Sequence, residues 1–281
     1  MSHAVNVSPE QKAKDQAYLE KIEASGVTRY IKRHSLQARI THDVTIICCL
    51  WLMISGAIVF APPITQAVGS DVVFVCRMSH RILGVVFCLV PIVSFLLAPA
   101  GARHIWKNNV CKWTSDDKKW MLMFFPYLFG AKWIHMPDQD EQKSGQRIAD
   151  GALWIFGFVM AISGVVLVLG STCVELGTGA HAVWLMIHDI GFFALCIFVP
   201  AHIWLGGGIF QPYRGNWNVE GKTRGCSNLM FGDGTVSESD ALYHWGHWAR
   251  EELASGKNVI YKDKDGNIID PAIINREGAP L

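Results

Sequence analysis

One apolar run carries two imidazoles. The segment VWLMIHDIGFFALCIFVPAHIWLGG, residues 183–207, could lie in lipid, yet it contains His188, Asp189 and His202. Ionisable groups inside a membrane are expensive and mark function. His188 and His202 are fourteen residues apart. At about 100° per residue that falls about 40° short of four helical turns, so both lie on one face, separated by roughly 21 Å along the axis. His42 and His80 open two other apolar runs, and each follows an arginine by three residues: Arg39 in RITH and Arg77 in RMSH. Imidazole on both axial faces of an iron leaves no open coordination position, which suits electron transfer. Two imidazoles stacked across a membrane suit two haems, one per leaflet, each needing a second ligand. An arginine one helical turn from a ligand can meet a haem propionate with charge-assisted hydrogen bonds.

The elements that must position these residues are membrane spans. The chain has 281 residues, 51% hydrophobic and 17% charged, with long uncharged runs at 44–70, 82–102, 151–174 and 190–213. Each supplies the ~20 apolar residues a spanning helix needs. The runs predict four transmembrane helices near 43–62, 80–99, 152–172 and 184–207. Of 25 Lys and Arg, seven precede the first helix, eight lie in the loop 100–150 and eight follow residue 208. Arg77 and Arg81 alone fall on the other side. By the positive-inside rule both termini and the middle loop are cytoplasmic. Trp51, Trp154, Trp184 and Trp204 fall near span ends, as an interfacial aromatic belt would place them.

This orientation sorts the histidines by depth. The second and fourth helices run inward, so His80 and His188 share the outer level. The first helix runs outward from His42, which shares the inner level with His202. His181 competes with His188 at the outer interface and keeps rough helical phase with His202. Histidines hydrogen-bonding across helices are the plainer alternative for all four. Ser55-Gly56 and Ser163-Gly164 either let a porphyrin approach the backbone or serve ordinary small-residue helix packing. The other histidines lie in polar segments and read as solvated.

The eight cysteines form no CxxC or CxxCH. Iron–sulfur, zinc-knuckle and covalent haem sites are therefore disfavoured, and small apolar filler is the role expected. Residues 8–25 read as a polar surface helix, and WMLMFFPYLFGAKW at 120–133 as an interfacial or partner-contacting segment. GKNVIYKDKDGNIIDP reads as a hairpin turning at Asp265-Gly266, since the rest of a calcium-loop pattern is missing. Pro200 and the glycines 206–208 should bend and end the fourth helix. No internal repeat stands out. The chain thus divides into a cytoplasmic segment 1–41, a transmembrane domain 42–210 with its loop 100–150, and a cytoplasmic tail 211–281.

RITH with ISG at 54–56, RMSHRILG at 77–84, SGQR at 144–147 with ISG at 162–164, and MIH…AHIW at 186–204 resemble the cytochrome b (gamma) subunits of membrane-bound respiratory formate dehydrogenases. The similarity covers about residues 29–210. It implies an all-α integral membrane protein of the bacterial cytoplasmic (inner) membrane, a four-transmembrane-helix di-haem cytochrome b bundle. His42 and His202 would hold the inner haem b, and His80 and His188 the outer one. Electrons would come from an iron–sulfur (beta) subunit fed by a molybdenum or tungsten catalytic (alpha) subunit, within a higher oligomer of the complex, and pass to menaquinone. Relatives place the quinone beside an Asn-Ala-Gly-Gln stretch. Gly145 and Gln146 match it, whereas Lys143 replaces the asparagine. Asp189 and the long tail are further departures, and the tail would either carry another subunit or mark a partner other than formate dehydrogenase. Equivalent subunits serve hydrogenases and thiosulfate or polysulfide reductases. A haem-free anchor or transporter is the rival of another class. No nucleic-acid partner is expected.

Overall fold

The computed structural model describes residues 27–131, 133–207, 232–263 and 265–269. The surface helix expected at 8–25 lies outside them. In chain order the elements are β1 (Thr28–Lys32), α1 (Leu36–Phe60), α2 (Pro62–Val68), α3 (Ser70–Leu97), α4 (Pro99–Trp106), α5 (Ser115–Leu128), α6 (Ser144–Thr172), α7 (Thr178–Gly207), β2 (Thr235–Ser237), α8 (Glu238–His244), α9 (Gly246–Ser255), β3 (Val259–Lys262) and β4 (Ile268–Ile269). A π-helical turn, Lys107–Cys111, follows α4.

Helices α1, α3, α6 and α7 are long and apolar enough to cross a membrane. They begin earlier than the apolar runs suggest, because polar residues can occupy the first turns of a helix without ending it. Ser70-Asp71 opens α3 and Ser144-Gly145-Gln146-Arg147 opens α6. His80 therefore sits well inside α3, and Arg77 is a helical residue, not a loop residue. Their outward faces are exposed apolar side chains, among them Ile47, Phe74, Leu89, Ile155 and Ile197, as lipid requires.

The chain forms two compact units. One comprises Gln37–Lys107 and Ile148–Ile203 and holds most of the four spans. Within it Gln37 Nε2 donates to the Ser94 carbonyl at 3.2 Å, and Thr41 Oγ1 to Ser94 Oγ at 3.1 Å, joining α1 to α3. Trp51 Nε1 donates to Ser79 Oγ at 3.0 Å. That hydrogen bond ties α1 to α3. Gly191 leaves room for the Met160 thioether, whose sulfur would lie 2.7 Å from an added Cβ. Cys48 and Cys76 are buried and unbridged, in keeping with filler.

The other unit comprises Met1–Leu36, Asn108–Arg147 and Trp204–Leu281. The expectation of an all-α chain fails here. An antiparallel sheet runs in the order β2-β1-β3-β4, so the strand before the first span pairs with two strands from the tail. The foreseen hairpin is present: β3 pairs with β4, Gly266 adopts φ +86°, and its amide donates to the Asp263 carbonyl at 3.1 Å. The core is Ile31, Val236, Ala241, Trp245, Trp248 and Ala249. Arg29 makes a forked pair with the buried Glu238 carboxylate, Nε lying 2.6 Å from Oε2. Thr114 and Asp117 close a capping box at the start of α5, and the Asp117 carboxylate also takes the Ser144 hydroxyl at 2.7 Å. In the segment 120–133, Trp120 is buried while Leu122, Phe125, Phe129 and Trp133 are exposed.

Ile31 is fully buried at the centre of the sheet. Ile31→Ala should destabilise this unit by about 2–5 kcal/mol, read as earlier thermal loss of the tail's protease protection. A second expectation concerns acid. Partial burial alone would raise the Asp233 carboxyl, but the Lys262 ammonium and the Thr235 hydroxyl and amide outweigh it and hold it at about 2. The folded value lies below the unfolded one, so the pair stabilises above about pH 4 and its contribution is lost as pH falls toward 2. The exposed carboxylate keeps this effect small. Asp233→Asn should flatten that acid arm of a thermal-melt profile.

Candidate functional site

The spans bring the four predicted histidines together in two pairs. His80 of α3 faces His188 of α7 with ring centroids 6.2 Å apart and planes at 67°. His42 of α1 faces His202 of α7 at 6.4 Å and 50°. His181 is exposed at the start of α7.

The local chemistry of the first pair fixes its tautomers. Ser55 Oγ lies 2.7 Å from the Trp51 carbonyl and 2.9 Å from His80 Nδ1. Ser163 Oγ lies 2.6 Å from the Val159 carbonyl and 2.9 Å from His188 Nδ1. A hydroxyl has one proton, and a carbonyl can only accept it. Each serine therefore accepts the Nδ1–H of its imidazole, and the Nε2 lone pair is left free. Both serines are fully buried. The adjacent glycines complete the cradle: a Cβ on Gly56 would meet His80 Cε1 at 3.4 Å, and one on Gly164 would meet His188 Cε1 at 3.4 Å. Ser-Gly thus seats the imidazole, a role that spacing alone did not reveal.

The second pair is held differently. His202 Nδ1 lies 2.7 Å from Asp150 Oδ1, a carboxylate that the sequence analysis does not single out. His42 Nδ1 and Arg39 Nε are buried and have no hydrogen-bond partner among the described residues. Asp43 Oδ1 is 3.9 Å from His42 Nδ1, too far for a hydrogen bond.

These arrangements fit a haem iron. A metal–nitrogen bond of about 2 Å on each side, plus the reach from each Nε2 to its ring centre, gives a centroid separation near 6 Å. Both pairs have it. An unpaired, buried guanidinium Nε on Arg39 is what a propionate would satisfy. Arg77 is exposed on α3 one turn before His80. At Gly145 a Cβ would fall 2.5 Å from the Trp120 ring, so its smallness serves Trp120 packing. Gln146 is half-buried, and Lys143 carries its ammonium 4.8 Å above the Trp245 ring.

The cradles expose a repeat that the sequence reading did not recognise. Ile54-Ser55-Gly56 and His80 recur as Ile162-Ser163-Gly164 and His188, each 108 residues later. The same offset carries Arg39-Ile40-Thr41-His42 onto Arg147-Ile148-Ala149-Asp150, and Ser94 onto His202. One half-molecule, a helix pair, is present twice. The signal was available in the two ISG triplets and in their equal distance to a histidine.

Four apolar spans with facing imidazoles define a membrane cytochrome of the b type. The chain belongs to the prokaryotic cytochrome b561 family, whose model matches residues 33–217, and is a multi-pass membrane protein. It is similar to the formate dehydrogenase cytochrome b556 subunit of Haemophilus influenzae, at 24% identity over 240 residues covering 84% of this chain and 89% of that protein.

The glycine cradles predict a graded response. Gly56→Ala and Gly164→Ala meet the imidazole at ordinary contact distance and should keep b-type haem. Gly56→Leu and Gly164→Leu must displace the ring, and each should lose the haem of that pair. Pyridine-haemochrome content per chain checks both halves of the repeat.

Proposed function

We propose that the chain is the di-haem, quinone-reducing subunit of a respiratory dehydrogenase complex of the formate dehydrogenase type. The observation that carries this reading is the presence of two facing imidazole pairs at metal-bridging separation. The similarity to the Haemophilus influenzae formate dehydrogenase subunit supports the donor, and the resemblance to gamma subunits supports the acceptor.

A b-type haem held at each pair supplies a reversible one-electron couple. His80 and His188 hold the outer one with Ser55 and Ser163 locking their Nδ1 protons, and His42 and His202 hold the inner one. Arg39 and Arg77 neutralise propionates. The apolar side chains of the spans exclude water from the imidazoles, and Cys48 and Cys76 fill space without competing as ligands. Electrons enter on the outer side of the bacterial cytoplasmic membrane from an iron–sulfur subunit, which a molybdenum or tungsten subunit feeds. Menaquinone is reduced on the cytoplasmic side, where Gln146 and the backbone of Gly145 contact its headgroup. Electron transfer inward moves charge worth about 2.3 kcal/mol per 100 mV. Both termini and the middle loop are cytoplasmic, as the positive-inside rule requires.

Acidified acetone should release all haem from the purified chain, at two per polypeptide. His80→Ala and His188→Ala should each remove the same haem and block reduction by the physiological donor. The remaining haem should still be reduced by added quinol. His202→Ala should abolish quinone reduction and leave the outer haem reducible. Gln146→Ala should keep both haems and slow quinone reduction. One haem per chain, or loss of the inner haem in His80→Ala, overturns the pairing. Unaltered quinone kinetics in Gln146→Ala overturns the quinone assignment.

A further inference from the structure

We propose that Asp150 is a positioning residue that makes His202 a stronger donor than the other three histidines and so lowers the reduction potential of the haem it binds. This rests on the haem ligation proposed above.

The observation is an asymmetry in a repeated structure. In one pair, both imidazoles give their Nδ1 proton to a neutral serine hydroxyl at 2.9 Å. In the other, His202 gives it to a carboxylate at 2.7 Å, and the Asp150 side chain is largely shielded from solvent, 14% exposed. Asp150 occupies the position that His42 holds in the first half of the repeat. A residue placed to be a ligand has become the partner of one.

Charge-assisted hydrogen bonds to ionised acceptors are roughly twice as strong as neutral ones. Low dielectric strengthens them further. A carboxylate drawing on Nδ1–H raises the electron density at Nε2, fixes the ring's orientation, and increases ligand basicity. A more basic ligand favours the ferric state, which carries one more positive charge than the ferrous state. The carboxylate's own field acts in the same direction. Serine offers neither effect. The two haems are thereby distinguished by protein groups rather than by their axial ligands, all of which are histidine.

The test is a spectroelectrochemical titration of the full-length chain in nanodiscs. The haem of His202 is identified by its loss in His202→Ala. Asp150→Asn keeps an acceptor oxygen and removes the charge. It should shift that haem toward the reduced form by about tenfold at fixed ambient potential, the scale at which such partners act on metal sites. For one electron this is about 59 mV upward. Asp150→Leu should shift it at least as far, and the other haem should not move in either variant. An unchanged midpoint, or an equal shift in both haems, overturns the proposal. If His202→Ala keeps wild-type haem content and spectrum, the ligation reading itself has failed. The unaltered protein gives a second readout independent of whether the variants fold. In near-infrared magnetic circular dichroism the ferric charge-transfer band of the His202 haem should lie at shorter wavelength than that of the other. Coincident bands overturn the proposal.

Discussion

An imidazole in a membrane has two nitrogens and no water. If one is to be kept bare for a metal, the other must carry the proton and find an acceptor, because an unsatisfied polar group in hydrocarbon costs several kcal/mol. That constraint organises the span-bearing unit. A serine hydroxyl already committed to its own helix carbonyl can only accept, so it enforces the tautomer as well as satisfying it. The residue after each serine must then be small, since the ring it holds lies against the same helix. Helix approach, ring orientation and free lone pair follow from one two-residue device used twice.

The second unit is built by pairing between distant parts of the chain. The strand before α1 pairs with strands that follow α7. β1 takes the centre of the sheet between β2 and β3, burying Ile31 completely. The partners of β1 are some 200 residues away in sequence, and a five-residue TRYIK with no turn signal beside it announces nothing about them. Periodicity reports local structure, and this contact is not local. The β3–β4 hairpin was legible because its turn chemistry is: Asp265-Gly266 supplies the positive φ within the segment itself.

Hydropathy gave the number of spans and their approximate centres, since lipid exposure demands long apolar runs. It misplaced their beginnings because it measures the hydrocarbon boundary and not the helix. The four histidines could be paired from depth alone, as a span fixes position along its axis. What depth cannot give is rotation about the axis, and so the acceptors at Ser55, Ser163 and Asp150 were out of reach. Gly145 carries two constraints. Its match to a family stretch implies ligand contact, and the packing of Trp120 separately requires a glycine there.

The repeat clarifies why the two imidazole pairs differ. One pair draws on equivalent positions of the two halves, His80 and His188, and is symmetric down to its serines and glycines. The other cannot be symmetric. It takes His42 from one half and His202 from the other, at positions that the 108-residue offset does not relate. Their equivalents are therefore released from facing an imidazole across the pair. Ser94, the equivalent of His202, ties α3 to α1 through Thr41 and Gln37. Asp150, the equivalent of His42, takes the His202 proton. His42 itself keeps a buried Nδ1 with no described acceptor. A duplicated helix pair thus yields one symmetric and one polarised site, and two chemically identical cofactors would meet unlike environments without any change of ligand type.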